Sequence, residues 1–238
     1  MRRDRRACRG APSPARLFDA LYRRWGPQRW WPAQTPFETI VGAILTQNAA
    51  WTNVERAIAR LRAADRLTPD GLRAAAPAEL AEWIRPAGYF NVKARRLGAF
   101  LERLFADYGG SLDRLFALPT GVLRDKLLSI HGIGPETADS ILLYAAGRPV
   151  FVVDAYTRRA LVRHGWVAAN ASYDELARFF TDRLPRDTAL YNEYHALIVR
   201  LGKETCRTRP CCRNCPWRTW LPAEGSPCAA SPSARRSR

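Results

Sequence analysis

The chain reads as an all-α protein. Apolar residues recur at helical spacing through most of residues 36–205, many of these stretches open on Ser, Thr, Asp or Asn, and only residues 149–153 read as extended. At 238 residues and 47% hydrophobic, the chain can bury one sizeable core or two small ones. No apolar run reaches membrane-spanning length, and MRRDRR at the start lacks the apolar stretch of a secretory signal.

The elements follow in order. Thr35-Pro36-Phe37-Glu38 has the form of a capping box with Pro at the first helical position, and opens an apolar helix running towards Thr46. Further helices are expected at 53–63, 78–85, 91–107, 111–117, 120–130, 135–146, 155–164, 172–183 and 188–205. There is no internal repeat.

The net charge of +16 suggests a polyanionic partner, but its distribution matters more than its size. Residues 1–16 carry +5 and residues 203–238 carry +6, which leaves +5 for the body between. Residues 1–16 and 229–238 read as a disordered basic leader and tail. Arg207, Arg209, Arg213 and Arg218 differ, because cysteines pin them.

The stretch from Leu127 to Asp154 holds the most chemistry. Gly132 and Gly134 can take positive φ, so a tight turn there would leave successive backbone N–H groups pointing outward, and Pro135 suits the first position of the next helix. His131, Gly132, Ile133, Gly134 and Thr137 therefore form a candidate phosphate-binding turn, with Lys93 as a further cation for DNA. Asp154 stands between an extended Val-Val and an apolar helix. It reads equally as a helix cap and as a lone catalytic carboxylate.

Leu127-x-x-Ile130-x-Gly132-Ile133-Gly134-x-x-Thr137-Ala138, followed by Val152-Val153-Asp154, resembles the helix-hairpin-helix and catalytic-aspartate signature of the endonuclease III superfamily of DNA glycosylases. The similarity runs from about Phe18 to Cys215. It implies two helical domains: a six-helix domain over 36–146 with the hairpin, and a second domain from 17–35 plus 147–205. A cysteine-rich loop over 206–228 follows. The implied reaction is excision of a flipped damaged base from double-stranded DNA, with Asp154 activating water or stabilising the sugar cation. A soluble, monomeric, cytoplasmic and nucleoid-associated prokaryotic enzyme is expected, with no membrane partner.

The resemblance also assigns roles to individual positions. Gln47 matches the residue that fills the gap left by the flipped nucleotide, and Tyr89 matches the wedge on the other side. Both could equally be ordinary loop residues. Trp30-Trp31-Pro32 before the capping box, with Trp51 and the Glu136 position, resembles the base pocket of the 3-methyladenine branch. An electron-rich indole face attracts a cationic alkylpurine by up to about 2 kcal/mol when desolvated. Core packing is the alternative for any of these tryptophans.

Two departures from the family pattern shape the expected chemistry. Strand-cleaving relatives place a lysine where this chain has Glu136, and a carboxylate cannot form a Schiff base, so a monofunctional glycosylase without efficient lyase activity is expected. Glu136 itself reads as a first-turn residue that favours the helix dipole. Ala43 occupies the position where mismatch-adenine enzymes carry glutamate, which argues against adenine removal. Oxidised or mismatched pyrimidines and uracil stay open as substrates, as does a non-catalytic DNA-binding module.

Cysteine usage is lopsided: Cys8 stands apart from Cys206, Cys211, Cys212, Cys215 and Cys228. The family often holds a four-iron, four-sulfur cluster on four cysteines here, and Cys206-x5-Cys212-x2-Cys215 is close to its spacing. Cys228, the candidate fourth ligand, lies further beyond Cys215 than the family spacing has it, and Cys211 is the alternative. The expected cluster is structural, with zinc or no metal as alternatives.

Overall fold

The computed structural model of the chain describes residues 11–30 and 32–222. In chain order its helices are α1 Pro14–Trp25, α2 Pro36–Leu45, α3 Trp51–Ala63 and α4 Pro69–Arg73. Next come α5 Pro77–Trp83, α6 Phe90–Tyr108, α7 Leu112–Phe116 and α8 Thr120–Leu128. The last four are α9 Pro135–Ser140, α10 Ala155–Arg163, α11 Tyr173–Thr181 and α12 Thr188–Glu204. No strand occurs among the described residues. Two compact units divide the chain: residues 31–150, and residues 1–30 with 151–238.

Local chemistry sets the helix starts. Side chains of Ser13, Thr35, Thr68, Ser111, Asp154, Ser172 and Asp187 each accept a backbone N–H of the first turn, relieving donors that a helix N-terminus leaves open. Prolines begin α1, α2, α4, α5 and α9, where their missing N–H costs nothing. Gly109, in the left-handed conformation at φ 61°, ends α6.

Several sequence expectations need correction. Helix α1 begins at Pro14, inside the stretch read as leader, and Pro14 is buried. The capping box at Thr35 is only half formed: Thr35 accepts from Glu38 N, but the Glu38 carboxylate is buried and paired with Arg62 instead. Helix α3 starts at Trp51, and the five-residue α4 is too short to show a periodic pattern. The helix expected over 135–146 loosens after Ser140 into a π-helical turn, Ile141–Ala145, before Gly147 at φ 64°. Residues 149–153, expected to be extended, are neither helix nor strand.

In the 31–150 unit, α2 is mostly apolar and is buried from Phe37 to Leu45. Ile40, Val41, Ile44 and Leu45 are each 0% exposed, a burial that stabilises by about 1.5–3 kcal/mol per side chain. Helices α8 and α9 form the hairpin. A buried Asp139 on α9 accepts from Arg124 on α8 through Nε at 2.7 Å and Nη2 at 3.2 Å.

In the other unit the core is aromatic. Phe151 stacks on Phe180 at 3.9 Å, with Tyr191 and Tyr194 edge-on. Trp217, from the cysteine loop, is fully buried and donates to Leu17 O on α1. Helices α10 and α12 approach so closely that a Cβ added at Gly202 would meet Tyr156 Cβ at 2.7 Å. Gly202→Ala should lower stability by up to about 2 kcal/mol in denaturant unfolding, because overpacking costs about 1–3 kcal/mol and helix propensity returns about 1.

Candidate active site

Asp154 caps α10 with one carboxylate oxygen. Its Oδ1 accepts from Thr157 N at 2.7 Å and Thr157 Oγ1 at 2.8 Å. The other oxygen, Oδ2, faces His195 Nε2 of α12 at 3.7 Å, an ion-pair distance longer than a hydrogen bond. The two side chains are 11% and 7% exposed. Burial pushes the Asp154 carboxyl up, but His195 and the Thr157 bonds more than offset it, so its pKa lies below the usual value and the group is ionised at neutral pH. The cap therefore occupies one oxygen and leaves the second with a different neighbour.

His195 is the site residue that sequence reading missed. A histidine within Tyr194-His195-Ala196 reads as core, and it is buried, yet it lies against the carboxylate. His164 is structural: its Nδ1 lies 2.7 Å from Ala160 O and its ring stacks on Trp166. His131 is exposed in the hairpin turn.

The hairpin differs from expectation in detail. Gly132 does take φ 85°, and a Cβ there would meet Arg96 Cδ at 2.7 Å. Gly134 does not: at φ −92° and ψ 179° it is extended, a conformation open to any residue. Ile133 is 4% exposed and belongs to the core, so its side chain cannot serve as a DNA contact. The Thr137 hydroxyl is also buried, and accepts from Gln47 Nε2 at 2.9 Å. Gln47 donates to Gly132 O at 2.9 Å as well, and Arg96 donates to its Oε1. Gln47 is thus tied to the hairpin from α2's end.

Lys93 requires a plain correction. It was expected to contact DNA, but it is 1% exposed and donates to Leu45 O and Ala87 O. A phosphate cannot reach it. Tyr89, by contrast, is 71% exposed and holds φ 46°, rare for an aromatic residue. Asn48, beside Gln47, is left-handed too, at φ 52°.

The expected aromatic slot is spread over both units. Trp30 is half-buried, with Lys203 Nζ 5.7 Å from its ring centroid. Pro32 is exposed, and Trp31 lies outside the described residues. Trp51 packs on the 31–150 core and donates to Glu55, so the core account suffices for it. Glu136 is exposed in the first turn of α9.

In the cysteine loop, Cys206, Cys211 and Cys215 are free. Burial raises the Cys215 pKa, hydrogen bonds from Trp217 and Thr205 oppose this, and the nearby Cys206 and Cys211 raise it further. Cys206 and Cys211 therefore lie near the Cys215 sulfur, though no three His, Cys, Asp or Glu side chains form a metal-holding group among the described residues. Cys212 is disulfide-bonded, and a disulfide sulfur is not a thiolate ligand, which counts against its expected role. Cys228 lies outside the described residues. The loop is fixed from α10: Arg159 donates to Cys206 O and Gly202 O, and Arg163 to Arg207 O, Thr208 O and Cys206 Sγ. Arg207, Arg209, Arg213 and Arg218 are exposed.

Comparison with known proteins agrees with this architecture. Residues 41–186 match the family model described as HhH-GPD superfamily base excision DNA repair protein. A Methanocaldococcus jannaschii protein named as a DNA repair glycosylase is 46% identical over 202 residues, covering 84% of this chain and 92% of that one. Endonuclease III of Sulfolobus acidocaldarius is 31% identical, over 75% of this chain and 78% of its own. Among solved structures, H. pylori 3-methyladenine DNA glycosylase bound to 1,N6-ethenoadenine superposes with a TM-score of 0.71 at 29% identity, over 81% of this chain and 98% of that one. The chain belongs to the HhH-GPD superfamily of base excision DNA repair proteins, and is a DNA glycosylase of that family.

Proposed function

We propose that this glycosylase removes an N-alkylated purine by hydrolysis and leaves the DNA strand uncut. The observation that carries this reading is the ionised Asp154 carboxylate, whose Oδ2 is turned away from the capping bonds, in a chain with an exposed carboxylate at Glu136 where a lyase needs an amine. When the N-glycosidic bond of a flipped nucleotide breaks, its electron pair goes to the base: it neutralises a cationic ring such as 3-methyladenine, whereas a neutral ring such as ethenoadenine departs as an anion and takes a proton from solvent. The sugar is left as an oxocarbenium ion. Asp154 stabilises that charge, and water adds at C1′ while giving its proton to the carboxylate. His195 Nε2 lies 3.7 Å from the second oxygen.

Substrate choice rests on two supports. The H. pylori structure, a 3-methyladenine glycosylase holding ethenoadenine, covers most of this chain. Trp30 offers an indole face, although the Lys203 ammonium already lies over one side of it. A cationic purine would stack on the opposite face. The DNA-facing parts of the 31–150 unit are Tyr89, Gln47, His131 and the Gly132–Gly134 backbone.

Incubation with duplexes that each carry one lesion, with and without alkali, tests this reading. Base loss is expected from 3-methyladenine and ethenoadenine duplexes, strand breaks only after alkali, and no borohydride-trapped adduct. Excision confined to uracil or oxidised pyrimidines would move the substrate to that class. Efficient trapping would show that another amine replaces the missing lysine.

We infer further that the cysteine loop holds a structural four-iron, four-sulfur cluster. The closeness of Cys206 and Cys211 to the Cys215 sulfur supports this: these three supply three of the four ligands, and Cys228 is the candidate for the fourth. Anaerobically purified protein should be brown and contain iron. Colour should be lost in Cys206→Ser, Cys215→Ser and Cys211→Ser. Zinc without iron would end the cluster reading and leave the fold untouched.

A further inference from the structure

Lys93 is a buried ammonium with no carboxylate partner among the described residues. Its Nζ donates to Leu45 O at 2.8 Å and to Ala87 O at 2.7 Å, and it forms no ion pair. Taking such a charge out of water without a counter-ion is expensive, and a methionine of similar length would fill the space without that cost. Burial, followed by repulsion from Arg96, lowers its pKa to about 8. Among the described residues, two carbonyl oxygens are what the charge receives in return.

Those carbonyls have telling positions. Leu45 is the last residue of α2, whose end leaves carbonyls without helical partners, and Ala87 ends the short 3-10 turn before Tyr89. Two residues beyond Leu45 stands Gln47, and two beyond Ala87 stands Tyr89. Each of these loops contains a non-glycine residue in left-handed backbone, Asn48 and Tyr89. Such conformations persist only where their surroundings fix them. One side chain thus anchors both loops at their roots.

We propose that Lys93 is a positioning residue: by holding the ends of α2 and of the 85–87 turn to one ammonium, it sets the spacing at which Gln47 and Tyr89 enter an opened base pair. This rests on reading Gln47 as gap filler and Tyr89 as wedge. Opening a pair costs a few kcal/mol, so the two side chains help only if both arrive in register.

The test uses Lys93→Met and Lys93→Gln in the full chain, beside the double variant Gln47→Ala/Tyr89→Ala. The first probe is a duplex with a tetrahydrofuran abasic analogue opposite 2-aminopurine, which reports gap filling without any excision. The second is ethenoadenine in duplex and in single-stranded oligonucleotide, since a single strand needs no pair opened. Both Lys93 variants should lose the 2-aminopurine response to the level of the double variant. Their duplex excision should fall about tenfold or more while single-strand excision holds.

A wild-type response in either variant would overturn the proposal. So would an equal loss on duplex and single strand, or loss of cooperative melting in both variants, each of which makes Lys93 a core element only. If the double variant itself gives a wild-type 2-aminopurine response, the Gln47 and Tyr89 reading fails first and the proposal falls with it.

Discussion

Asp154→Asn should reduce base excision by about 10²–10⁴-fold while leaving DNA affinity and thermal stability close to wild type. The reason lies in the two separate uses of the carboxylate. Asparagine caps helices about as well as aspartate, so the bonds to Thr157 N and Oγ1 survive the change. What disappears is the negative charge that the proposed mechanism places beside C1′. Asp154→Ala should add a stability loss of about 1 kcal/mol from the missing cap, which separates the two functions in one pair of melting and single-turnover experiments. Near-wild-type excision by Asp154→Asn would reduce Asp154 to a cap.

Arg124→Leu should be the most damaging substitution for stability, at about 3 kcal/mol, because it leaves the Asp139 carboxylate buried at 2% exposure without its guanidinium. The figure is taken from the low end of the range for broken buried pairs, since Arg124 is itself 27% exposed and water can enter the gap. The bond joins α8 to α9, so DNA affinity should fall along with the melting temperature. Urea unfolding of Arg124→Leu and of the charge-free pair Arg124→Leu/Asp139→Leu checks this. The double variant should recover part of the loss.

Features written locally were legible in the sequence. Ser172 and Thr35 mark helix starts because a side-chain oxygen and the backbone N–H it accepts lie three residues apart, and Pro135 does so through its fixed φ. Asp154 was legible on the same ground: its capping role and its place after an extended Val-Val are both short-range. Partners brought together by folding were not legible. His195 and Asp154 are 41 positions apart, and nothing in Tyr-His-Ala announces the contact. Lys93 misled because a lysine in Asn-Val-Lys-Ala-Arg-Arg looks solvated, whereas helix geometry turns it inward onto carbonyls 6 and 48 positions away. Gly134 misled differently: its sequence suggested positive φ, while only Gly132 needs it. The five-residue α4 lies below the length at which periodicity can be read.

Mass spectrometry of what leaves a 3-methyladenine-containing duplex tests hydrolytic alkylpurine excision most directly. The expected products are free 3-methyladenine and a full-length strand bearing one abasic site. Absence of free base, or a strand cut or covalently bound to protein at the same rate as base release, would contradict it.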